Sequence, residues 1–248
     1  MKQLCVSVPA ALADQHAVLA TLPNRYRIGS DEADLIAIDG TDPVCAAPLP
    51  VMLVRPGLIT APALRALAEG RNAIGLALHA APALTEDAVA LMQLPGDDAT
   101  LIVDASAETD GSLRDALFEL LMLLDRLGCC AEAIRLLAAT PTQLTLGVAS
   151  DGVWQGVRVT ARRSFRTAFA LETVSRRFRR GIAISGTAVA AAADVRLFDA
   201  TGTRVAAPHF EGGLRASWRA FHGQLGEGGS GTVATAIRLL DMLDAAGV

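Results

Sequence analysis

Asp115 and Glu119 stand four residues apart in GSLRDALFELLMLLDRLG, whose leucines recur at helical spacing over 111–127. Residues i and i+4 of a helix lie one above the other, so the two carboxyl groups share a face and are placed for general acid and base work. The plainer reading, which the sequence favours, is an exposed helix face of Arg114, Asp115, Glu119 and Arg126, or polar contacts at an interface. Arg55 ends the apolar run VMLVR and His79 ends AIGLALH. Both stand at the ends of expected strands, where a cleft between domains would hold an anionic metabolite. Arg55 cannot shed a proton near neutrality, so it suits anion binding better than proton transfer.

Other chemistries find little support. His16, His79, His209 and His222 show no HxxH or HExxH pairing, and Cys5, Cys45, Cys129 and Cys130 show no CxxC spacing, so no metal site is expected. The thiols read as buried or partly buried. No GxSxG elbow is present. The glycines of GEGGSG at 226–231 follow no strand and end in no Gly-Lys-Ser/Thr, so they read as a flexible connection and not a phosphate loop. Eight arginines between 158 and 180 could form a basic patch, yet the chain carries a net charge of −4 and lacks exposed aromatics between them. A solvated sheet face, or one pairing across a subunit contact, is the expectation, with no nucleic acid partner.

The elements that must position these residues fall into two textures. Over 1–95, apolar runs at 3–8, 34–39, 51–55 and 73–79 alternate with Ala-rich helical stretches at 10–21, 60–69 and 84–93, as in βαβ units on a parallel sheet. PGDD at 95–98 marks a boundary. Over 96–248 come a strand at 99–105, the helix at 111–127, six strands between 133 and 198, and closing helices at 213–224 and 230–245. Along one of those strands Phe165, Thr167, Phe169, Leu171 and Thr173 face one side, while Arg166, Ala168, Ala170 and Glu172 face the other. The expected fold is α/β: a truncated Rossmann-like parallel sheet domain followed by an α+β domain with a large, mostly antiparallel open sheet. With 52% hydrophobic residues the chain can fill such cores. It has no run of about 18 apolar residues to span a bilayer and no secretory leader pattern, so cytoplasmic residence is expected.

The order of several strings resembles the glucose-fructose oxidoreductase and inositol dehydrogenase (Gfo/Idh/MocA) family. VMLVRPGLIT at 51–60 resembles the stretch that carries the family's Glu-Lys-Pro motif, with Arg55 and Pro56 at the Lys-Pro positions. AIGLALHAAPAL at 73–84 resembles the next strand and keeps Pro82. GSLRDALFELLMLLDRLG resembles the active-site helix, usually written Gly-x-x-x-Asp-x-Gly-x-His-x-x-Asp, and RGIAISGTAVAAAADVRLFDATGT at 180–203 resembles a sheet stretch with a Gly186–Thr187 turn.

By that resemblance the motif lysine and the helix histidine, which serve hydride and proton transfer beside a nicotinamide, are replaced here by Arg55 and Glu119, and the second acid by Met122. Asp115 alone of that constellation remains. Where the family carries its glycine loop, this chain has PAALAD at 9–14. Matching His16 to the family's histidine puts Val8, Ala10 and Ala13 at the glycine positions and Asp14 where a phosphate would sit. The leading expectation is therefore a degenerate member with no cofactor, acting as a structural or regulatory subunit. Its C-terminal sheet would pair it with a second copy or an active oxidoreductase paralogue. An NAD(P)-dependent oxidoreductase using Asp115, Glu119 or Arg55 on a small sugar-like or imine substrate is the alternative. The third reading is an anion-binding module built on Arg55 and His79.

Overall fold

The computed structural model describes residues 3–29, 32–43, 48–71, 73–93, 102–150, 156–185, 192–225 and 231–248. The boundary at 95–98, the Gly186–Thr187 turn, Cys45 and most of GEGGSG lie outside the described residues.

The first layer contains β1 (Leu4–Ser7), α1 (Ala13–Ala20), β2 (Tyr26–Ile28), β3 (Leu35–Asp39), β4 (Val51–Val54), α2 (Ala61–Glu69), β5 (Ile74–Ala77) and α3 (Glu86–Met92). Its strands form one parallel sheet in the order β2-β1-β3-β4-β5. β4 and β5 are buried at every position, as expected of strands covered on both faces. Thr60 and Thr85 cap α2 and α3 by accepting from Ala63 N and Ala88 N.

The second layer holds β6 (Ile102–Thr109), α4 (Leu113–Arg126), β7 (Ala131–Thr140), β8 (Gln143–Ser150), β9 (Val157–Arg163), β10 (Ala168–Val174), β11 (Phe178–Ser185), β12 (Asp194–Asp199) and β13 (Gly202–Val205). Its sheet runs β13-β12-β11-β10-β6-β9-β8-β7 and is antiparallel except where β6 meets β9. Strands β6, β10, β11 and β12 largely alternate buried and open residues, so one face is core and the other is open. The expected α/β class with one parallel and one large open sheet is what the chain adopts.

Strands β2 and β13 were not expected. Both are short and largely exposed, too brief to show a period. Phe165 was expected on the buried face of β10, but the strand begins at Ala168 and Phe165 stands fully in solvent. Arg180 was expected on a solvated face. Its position points inward, 7% exposed, where Nη1 donates to the Met92 carbonyl (3.0 Å) at the end of α3 and the guanidinium lies 4.2 Å from the Phe178 ring centre. Cys5 and Cys129 are buried as expected; Cys130 is exposed, because adjacent residues of extended chain point opposite ways.

The last two helices are α5 (Gly213–Gln224) and α6 (Gly231–Ala245). α5 returns to the first sheet. Leu214, Trp218 and Phe221 share a core with Val6, Leu35, Met52, Val54 and Ala77, beside Val18 and Leu19 of α1. Trp218 Nε1 donates to Gln15 Oε1 (2.8 Å), and Tyr26 Oη donates to the Trp218 carbonyl (2.7 Å). The other face of the parallel sheet shares a core with α2, α4, α6 and the inner face of the large sheet. α4 is therefore the axle between the two sheets. Among the described residues no helix is long and apolar enough to cross a membrane.

Candidate functional site

Two loops leave the C-terminal ends of β4 and β5, and α4 grips both. After Val54 the chain takes a left-handed step at Arg55 (φ 52°, ψ 56°) and enters a short 3-10 turn at Pro56–Leu58. A non-glycine residue pays a steric cost in that conformation, so the step needs support. Asp39, at the end of β3, supplies it: Arg55 Nε donates to Asp39 Oδ1 (3.1 Å), and Nη2 pairs with Oδ2 of the same carboxylate. Gly57 N then donates to Asp115 Oδ1 (2.8 Å), while Arg114 Nε donates to the Gly57 carbonyl (2.7 Å). A Cβ on Gly57 would lie 2.6 Å from Asp115 Cα, so only glycine lets the turn approach the helix this closely.

The second loop is held by Glu119. His79 N donates to Oε1 (2.7 Å) and Ala80 N to Oε2 (3.1 Å), so both carboxyl oxygens are engaged by backbone. The His79 ring stacks at 28° on Phe169 of β10, 6.4 Å between centres. Its carbonyl abuts Gly213 at the start of α5, where a Cβ would lie 2.0 Å from the oxygen. Just before it, Ser217 Oγ accepts from Leu78 N (3.1 Å) and donates to the Leu78 carbonyl (3.2 Å).

Arg55, His79, Asp115 and Glu119 thus occupy two neighbouring loops and one helix, as the sequence reading placed them. The expected exposed helix face is wrong. Glu119 is 2% exposed, and Arg114 pairs with Asp244 (2.6 Å) and Arg126 with Glu86 (2.9 Å). Packing of α4 between both sheets buries Leu113 and every residue from Ala116 to Leu124, and leaves Arg114 and Asp115 only partly exposed. Burial pushes the Asp115 carboxyl up to about 6, against the opposing effects of the Gly57 bond and the Arg55 charge. Burial and the neighbouring Asp115 charge push Glu119 up to about 8, against its two backbone bonds. Such carboxyls brace loops. For Glu119 to act as a base, a substrate would have to displace the His79 or Ala80 N–H. Arg55, bound to Asp39, offers the rest of its guanidinium to solvent.

The β1–α1 turn is the place to test a dinucleotide. None of residues 8–12 takes a positive φ, and Leu12 buries its side chain beside Val18 and Trp218. Asp14 lies in the first turn of α1. A pyrophosphate needs close backbone approach and a positive helix end. The residues at 8–14 do not fit that group. Cavities of about 470 and 390 Å³ lie elsewhere, on the open sheet face and beside β5.

Sequence reasoning missed Asp39, Ser217 and Glu211. Asp39 had a signal: an acid ending one parallel strand beside an arginine that ends the next. Glu211 is 5% exposed and meets Arg219 (2.6 Å), His209 (3.2 Å) and Arg215 (3.9 Å) at the start of α5, an arrangement spread over residues 209–219 with no recognisable motif.

No protein-family profile matches the chain, and none of the curated proteins matches it. Solved structures do. KijD10, a 3-ketoreductase from Actinomadura kijaniata crystallised with NADP, is 13% identical over 99% of this chain and 97% of its own, with a TM-score of 0.67. UDP-N-acetylglucosamine 3-dehydrogenase GnnA from Acidithiobacillus ferrooxidans is 12% identical over 99% and 96%, at 0.64. Aldose-aldose oxidoreductase from Caulobacter crescentus is 10% identical over 99% and 97%, at 0.65. The chain has the fold of the Gfo/Idh/MocA-like oxidoreductases. At these identities the likeness concerns the fold, and function must be argued from the residues.

Proposed function

We propose that this oxidoreductase-fold protein neither binds NAD(P) nor catalyses a hydride transfer, and that it serves in the cytoplasm as a structural or regulatory subunit. One observation carries the reading: both oxygens of Glu119, at the position where the resembled family places its catalytic histidine, are spent on the His79 and Ala80 amides. The filled turn at 8–14 and an arginine, Arg55, at the family's lysine position support it.

The partner surface is the open face of the large sheet. Ile102 and Val174 are direct neighbours across β6 and β10, and Phe198 stands opposite Arg179; all three apolar side chains are exposed. Around them acids and arginines alternate, with Arg158–Asp104 and Arg179–Glu172 at 2.5 Å and Arg196–Asp194 at 2.6 Å. A self-complementary mixture of this kind suits a second copy related by a two-fold axis, or a paralogue with the same face. Multi-angle light scattering should give twice the chain mass, and Phe198→Asp with Val174→Asp should reduce it to one. A wild-type monomer with no effect of those changes would remove pairing with a second copy and leave only the paralogue as partner.

The alternative is an NAD(P)-dependent oxidoreductase on a small sugar-like substrate. NADP in the KijD10 crystals favours it for this fold. It requires a rearranged 8–14 turn and release of Glu119 from its amides. Micromolar NADPH affinity would support it over the subunit reading.

A further inference from the structure

The outer edge of β5 borders a cavity that α4, α5 and α6 also line. Val51 N donates to the Ala73 carbonyl, which sets the phase of the strand: Ala73, Gly75 and Ala77 turn their backbone polar groups toward β4, and Ile74, Leu76 and Leu78 turn theirs away. The bonds of Ser217 to both N–H and carbonyl of Leu78 agree with that phase. Among the described residues no strand pairs with β5 on this outer side. Ile74 and Leu76, 6% and 7% exposed, border there a cavity of about 390 Å³ between α4, α5 and α6. Buried backbone donors and acceptors without a strand beside them call for another partner.

The walls narrow the choice of partner. On one side of the strand the Phe221 ring lies so close over Gly75 that a Cβ would stand 2.7 Å from it. Met122 of α4 comes from the opposite side and belongs to the other core. A ring lying in the plane of the sheet would therefore have Phe221 on one side and Met122 on the other, residue types that favour contact with a π system. An extended peptide does not suit the edge: Ser217 already occupies Leu78, so only two residues remain for strand addition.

We propose that this cavity binds a small planar heterocycle with adjacent hydrogen-bond donor and acceptor, the class of free nucleobases and cyclic amides. A ring N–H would donate to the Ile74 carbonyl, and a ring acceptor would receive the Leu76 N–H, as a single residue of a neighbouring parallel strand would do. The volume lies within the usual range for small-molecule sites, about 300–1,000 Å³. The site is separate from the 8–14 turn and independent of the subunit reading.

The test uses the full chain, labelled with 15N, titrated with adenine, hypoxanthine and uracil to millimolar concentration. The Ile74 and Leu76 amide resonances should shift saturably with at least one of them. 1,3-Dimethyluracil, which lacks the donor, should bind at least about tenfold more weakly than uracil, the scale of one lost hydrogen bond. Thr235→Phe, which fills the cavity, should abolish the shifts while the far-ultraviolet circular dichroism stays unchanged. If that variant does not fold, the comparison of uracil with its dimethyl analogue on the wild type decides. Silence of both amides with all three bases, equal binding of the dimethyl analogue, or undiminished shifts in a folded Thr235→Phe variant would overturn the proposal.

Discussion

Replacing Glu119 by Gln should change how stability depends on pH. The Glu119 carboxyl is pushed up to about 8 in the folded chain by burial and by Asp115, whereas in the unfolded chain it takes an ordinary value of about 4.3. Between those values the folded state holds a proton that the unfolded state has released, so stability falls as pH rises, by about 1.4 kcal/mol per unit. From pH 6 to pH 8 the loss is about 2 kcal/mol, because the slope flattens as the folded pKa is reached. For a chain of 248 residues that is about 4–8 °C in melting temperature. Asp115, pushed up to about 6, adds its own loss mainly below pH 6. Glutamine cannot ionise, and one of the two amides, His79 or Ala80, must then face an NH2 group at a cost of about 1–3 kcal/mol at every pH. Urea or thermal unfolding of both proteins at pH 6, 7 and 8 separates the effects, since the two differ only in the group at position 119. The gap between wild type and Glu119→Gln should shrink by about 2 kcal/mol on going from pH 6 to pH 8. A constant gap, or one that widens with pH, would refute the reasoning.

Further outcomes follow from the same contacts. Gly213→Ala places a Cβ 2.0 Å from the His79 carbonyl and should cost about 1–3 kcal/mol in urea unfolding. Gly223→Ala, in the same helix with nothing within 4 Å of the added Cβ, should instead stabilise by up to about 1 kcal/mol. Arg180→Met should destabilise without affecting assembly, because Arg180 faces inward and its loss strips the Met92 carbonyl of a donor. Unfolding midpoints and light scattering on one preparation check both halves.

The strands and helices were legible where the pattern is long. LIAID and VMLV read as buried strands, the leucines over 111–127 as a helix, and the alternation from Phe169 to Thr173 as a two-sided sheet. The missing glycine loop was legible too, since a turn made of PAALA can take no left-handed glycine step. The position of α5 was not, because its docking beside α1 depends on Trp218 meeting Gln15 across 203 residues of sequence. Asp115 and Glu119 were found, but their direction was misread. Charge and spacing say that two carboxyls share a face; only the packing of both sheets around α4 says that the face is inward. Likewise nothing in the sequence marks Gly57 and Gly213 as points of close backbone approach; only the backbone atoms they admit do so.

The central claim, that this fold carries no nucleotide chemistry here, is tested most directly by titrating the purified protein into NADPH and following nicotinamide fluorescence. The account predicts no saturable change up to millimolar protein-site concentration, because Leu12 fills the turn and Asp14 repels phosphate at the end of α1. A saturable change with micromolar affinity would contradict it.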